Sequence, residues 1–110
     1  LHDIDNAAGD QGVLAGSHTS AGGTIDAYVK LEGPTRSILQ RALITGDFFV
    51  TPPRVVLDLE AHLAGTRLEE IPDAIDAFFA ANRTDTLSVL PSDFLSAIDA
   101  ALDGADRGRV

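Results

Sequence analysis

Ile44-Thr45-Gly46-Asp47-Phe48-Phe49 is the stretch from which the rest of the chain is read. It closes an apolar run, Ile38 to Ile44, with strand composition, and it stands just ahead of Pro52-Pro53. A Gly-Asp pair punctuates an extended run. Two adjacent aromatics on an extended backbone point to opposite sides, which predicts one phenylalanine in the core and one covering a neighbouring surface. The double proline forbids continuation of the strand and pre-sets a helix start. On its residues alone the stretch is a structural corner, because no nucleophile in it has a base beside it.

Working back, Ile25, Ala27, Val29 and Leu31 alternate with Thr24, Asp26, Tyr28 and Lys30. Period two over eight residues predicts a half-buried antiparallel strand. Glu32-Gly33-Pro34-Thr35 supplies the turn into the Ile38–Ile44 strand. In that strand Leu39, Ala42 and Ile44 do not share a parity, so a bulge or bend is expected before Gly46. Asp47–Val50 extends this strand or pairs as a short third one. Residues 1–23 hold five glycines and no sustained periodicity and read as a flexible linker.

Working forward, Val55, Val56, Leu59 and Leu63 recur at helical spacing after Pro53, and Gly65 is the stop. A second helix is predicted from Glu69 to Ala81, with Ile71, Ile75, Phe78 and Phe79 on one stripe and Pro72 in its first turn. Leu87–Leu90 reads as a short extended piece. A third helix runs from Pro91 to Leu102, and 104–110 is a polar tail. Strands followed by helices predict an α+β fold: a small antiparallel sheet of two or three strands, covered on one face by about three helices, within a single domain at 24–103.

Composition narrows the chemistry. The chain has 110 residues, enough for one core, and a net charge of −9, which argues against nucleic-acid or anionic-membrane partners. It has no cysteine, which excludes disulfides, thiolate catalysis and cysteine-ligated metals; this fits a cytoplasmic location. It has no methionine and begins at Leu1, which reads as a piece of a longer protein. Thr24–Val56 carries four basic and three acidic residues, whereas Asp58–Asp103 carries ten acids against Arg67 and Arg83. The helical side is therefore acidic and the sheet side close to neutral, and an uncovered sheet edge is the expected place for a partner domain.

Candidate chemistry is sparse. Asp58 and His62 are four apart on one helix with Glu60 nearby, which suits either acid–base work or a surface pair. Ser17-His18-Thr19-Ser20 has catalytic residue types but falls in the expected linker. His2, His18 and His62 lack metal-ligand spacing. Asp47 is expected to bond backbone amides around the Pro52 turn. Arg36, Arg41 and Arg54 are scattered and have no glycine-rich phosphate loop. These residues give no catalytic, cofactor-binding or metal site.

The order of motifs resembles the C-terminal accessory domain of lipoate–protein ligases. The residues that carry the resemblance are Gly22-Gly23-Thr24-Ile25 opening a strand, the Gly46-Asp47-Phe48-Phe49 corner, a helix ending at Leu63-Ala64-Gly65, and a helix start at Leu68-Glu69-Glu70-Ile71. It spans residues 18–102. The chain departs from the family pattern at His18, where a lysine is common, and in a longer hairpin. The resemblance implies an architecture related to iron–sulfur assembly scaffolds and a partner, the large catalytic domain or subunit, that binds lipoate, ATP and magnesium. That partner makes lipoyl-adenylate and lipoylates an acceptor protein. No catalytic residue carries over to this chain; Gly46, Asp47, Phe48 and Phe49 are implied to shape and dock it. A sulfur-handling scaffold is the poorer reading because it needs thiolates. A non-catalytic acidic module that recruits a basic partner is the alternative.

Overall fold

A computed structural model describes residues 13–33 and 35–108, with side chains placed up to Asp103. Four strands form one antiparallel sheet in the order β1 (Val13–Ser20), β2 (Gly23–Glu32), β3 (Ile38–Asp47) and β5 (Thr66–Arg67). A two-stranded ladder joins β4 (Val50–Thr51) to β6 (Thr86–Leu87). Helices α1 (Arg54–Leu63), α2 (Ile71–Ala81, after a 3-10 turn at Leu68–Glu70) and α3 (Pro91–Gly108) complete the chain. No helix among the described residues is long and apolar enough to cross a membrane. The α+β class, with helices on one face of an antiparallel sheet, is as expected.

The mixed parity of β3 has a local cause. Lys30 pairs with Arg41 but Leu31 pairs with Leu39, so Gln40 is an extra residue in the ladder. This bulge lets Leu39 on one side of it and Ala42 and Ile44 on the other all enter the core. They meet Ile25, Ala27 and Val29 of β2 there. From the helices come Val55, Leu59 and Leu63, then Ile71, Ile75 and Phe78, and finally Phe94, Ala97, Ile98 and Ala101. α1 lies on β3, α3 lies across β1 and β2, and α2 bridges the two helices.

Two boundaries differ from expectation. Residues 13–20, expected as linker, form β1 and pair along their whole length with β2. The strand hides its alternation because three of its inward positions, Gly16, His18 and Ser20, carry no apolar side chain. Gly16 lies under α3, where a Cβ would run into the backbone at Ala100–Ala101, and His18 faces a carboxylate described below. The third helix also runs on to Gly108 rather than ending at Leu102. The remainder of the expected linker, residues 1–12, and the tail residues 109–110 lie outside the described residues.

Candidate functional site

The Gly46–Phe49 corner sits where three loops meet: the β1–β2 turn, the end of β3 and the segment after β6. Gly46 has φ +139° and Gly23, beside it on β2, has φ +138°. A Cβ on Gly46 would collide with the Thr24 carbonyl, and one on Gly23 with the Asp47 carbonyl. The two strands cross so closely here that only glycine fits on either side. The chain thereby turns sharply enough to separate the two phenylalanines.

Phe48 turns inward, edge-on to Phe94 with ring centroids 5.6 Å apart, and Phe94 in turn stacks on Phe79. Phe49 turns outward and is 74% exposed. Asp47 is also exposed. Contrary to expectation, its carboxylate takes no hydrogen bond from the backbone around Pro52 among the described residues. That turn closes through backbone bonds instead, Val55 N–H donating to Pro52 O.

Ser88 locks the corner. Its Oγ accepts from Phe49 N–H (2.9 Å) and donates to Gly22 O (2.8 Å), while its own N–H donates to Phe49 O (3.0 Å). One short side chain thus ties the β1–β2 turn, the phenylalanine pair and the approach to α3. Sequence reasoning passed over it, since a serine in an extended piece gives no sign of partners 39 and 66 residues away.

A second polar cluster adjoins it. Asp93 Oδ2 accepts from Leu90 N–H (2.8 Å), the third-position carboxylate reaching back to the residue ahead of Pro91. His18 Nε2 donates to Asp93 Oδ1 (3.0 Å) and Ser20 Oγ to Oδ2 (3.3 Å). The Leu90 amide, joined by the His18 and Ser20 bonds, holds the Asp93 carboxyl below its ordinary range, against partial burial. Serine, histidine and aspartate meet here, but both donors point at the carboxylate and the serine hydroxyl has no base beside it. The cluster fastens β1 to the start of α3 rather than activating a nucleophile.

The other candidates stay apart. Asp58 and His62 form no ion pair or hydrogen bond among the described residues, and the His62 ring packs on Phe78 at 5.5 Å. His62 also lines a shallow open groove of about 500 Å³ with Thr66, Glu70 and Asp73. Glu60 turns to the sheet instead: Oε2 accepts from Ile44 N–H at 2.7 Å, capping an edge amide of β3. Burial raises its carboxyl above the ordinary value, opposed by that bond and by the Arg41 charge. Arg36 lies in the β2–β3 turn with φ +53°, Arg41 on β3 and Arg54 at the start of α1, so the three do not converge.

No protein-family model and no curated protein matches the chain. Among solved structures, a chain from the archaeal lipoylation system of Thermoplasma acidophilum, a bi-partite lipoate protein ligase and its E2 lipoyl domain, is similar to this one. The TM-score is 0.67 at 29% sequence identity, over 77% of this chain and 92% of that one. This bears out the resemblance at the level of the fold: the chain has the fold of a component of a lipoylation system that includes a bi-partite lipoate protein ligase.

Proposed function

We propose that this chain is the accessory domain or subunit of a lipoate–protein ligase. It works with a large catalytic partner that binds lipoate and ATP, and it supports the formation of lipoyl-adenylate. In that step the lipoate carboxylate displaces pyrophosphate from ATP; the acceptor lysine later displaces AMP. The observation that carries the reading is the match, over 92% of its length, to a chain from a lipoylation system built on a bi-partite ligase. The site agrees with a supporting role, because its polar groups position backbone and side chains. The rigid corner presents Phe49 to a partner, and closure of such a lid over the adenylation site keeps water from a reactive mixed anhydride.

The test is ATP-dependent adenylation of lipoate by the cognate large chain, with and without this one. The expected result is product formation at least tenfold faster in its presence, with Phe49→Ala removing most of the gain while leaving the fold intact. Equal activity of the large chain alone would overturn the reading.

A further inference from the structure

The helices cover one face of the sheet, and among the described residues nothing covers the other. The register places four rows on that open face: Thr19, Thr24 and Asp47; Ser17, Asp26 and Thr45; Ala15, Tyr28 and Leu43; and Val13, Lys30 and Arg41. A solvated antiparallel face ordinarily alternates to long charged side chains. This one is depleted of charge at its centre, where the Ala15–Tyr28–Leu43 row runs across three strands. Ser17 occupies the Asp26 carboxylate in the adjoining row. Apart from Asp26, charge lies at the rim, with Asp47 at one end and Lys30 and Arg41 at the other. An aromatic, charge-poor centre within a charged rim is the anatomy of a protein interface.

The rim holds a second sign. Lys30 and Arg41 are direct cross-strand partners, and like charges so placed destabilise a sheet. Neither forms an ion pair among the described residues; the Arg41 charge does reach the Glu60 carboxylate at the β3 edge. In a chain of net charge −9, two adjacent cations with no ion-pair partner among the described residues suit carboxylates supplied from outside.

We infer that this open face is the surface on which the catalytic partner seats, with an apolar patch of the partner over Tyr28 and Leu43 and acidic side chains opposite Lys30 and Arg41. The inference rests on the reading of the chain as a ligase accessory component. Area calls for more than the corner: a stable interface buries about 800 Å² per partner. One exposed phenylalanine is far short of that. Three strands about 4.8 Å apart and eight residues long add a flat area on the order of 350 Å², which brings the exposed surface nearer to that size.

Lys30→Glu tests it, because the two roles predict opposite signs and Arg41 keeps its place near Glu60. Replacing a like-charged pair with an opposite-charged one should leave the free chain at least as heat-stable, while weakening binding of the large chain by tenfold or more. Leu57→Glu, on the exposed side of α1, should leave binding unchanged. In the wild-type complex, hydroxyl-radical footprinting should show Tyr28 and Leu43 protected relative to the free chain. Unchanged affinity in Lys30→Glu, with Tyr28 still open in a complex that forms and adenylates, would overturn the inference and leave the ligase reading standing. Protection of Tyr28 already in the free chain, lost on removal of residues 1–12, would assign the face to this chain's own N-terminal segment and also overturn it. Absence of any complex or stimulation would overturn the ligase reading itself.

Discussion

At Gly46 the backbone leaves no room for any other residue, which makes this position the most sensitive in the corner. Gly46→Ala combines a φ that L residues rarely adopt with a Cβ driven into the Thr24 carbonyl. Such strain costs about 1–3 kcal/mol before any backbone shift. Denaturant unfolding is expected to show a loss of about 3 kcal/mol, and a loss under about 1 kcal/mol would show that the two strands can part without cost. Asp93 carries a pH signature. Its folded pKa is depressed, first by the Leu90 amide, so its stabilisation is complete above the ordinary carboxylate range and disappears as pH falls through the folded value. Asp93→Asn should therefore cost about 1 kcal/mol at pH 7, with the gap closing as pH falls below the ordinary carboxylate range. A gap constant with pH would assign the loss to packing. Of these residues, Gly46 was legible from its place between a strand and a phenylalanine pair. Ser88 and Asp93 were not, because their meaning comes from His18, Ser20 and Gly22, some 66 to 75 residues away.

At the scale of elements, hydrophobic spacing gave the three helices and β2 because each buries a stripe or a face of its own. It also exposed the irregularity of β3, and the structure places the cause at Gln40. The bulge flips parity once, so removing that one residue should undo it. Deleting Gln40 either turns Ala42 and Ile44 outward or drags Leu39 out of the core. The expected outcome is a chain without a cooperative unfolding transition, whereas Gln40→Ala, which keeps the residue count, should cost under about 1 kcal/mol. Thermal unfolding of the two variants separates them, and a cooperative Gln40 deletion would show that the register can slip. β1 escaped the same reading for a physical reason. Its inward positions serve a helix crossing at Gly16 and a carboxylate at His18, so its pattern carries tertiary information in place of alternation.

At the scale of the whole molecule, the two sides of the sheet answer to different forces. The helical layer gathers ten acids between Asp58 and Asp103, whose mutual repulsion opposes folding. The open face holds the Lys30–Arg41 pair, whose attraction for a partner is expected to work in the opposite sense. Salt screens both, since the Debye length falls from about 30 Å at 0.01 M to about 3 Å at 1 M. Raising salt over that range should therefore stabilise the isolated chain. A gain of about 1 kcal/mol corresponds to roughly 4–8 °C in a domain of this size. The same change should weaken its complex with the catalytic partner. Melting temperature and affinity measured across one salt series would test the pair of signs together. If affinity instead rises with salt, the seat is apolar and centred on Phe49 and Tyr28, and the cations at the rim contribute nothing to it. Opposite trends would place the charge of this domain where the proposed accessory role needs it, with repulsion on the helical face and attraction on the open face of the sheet.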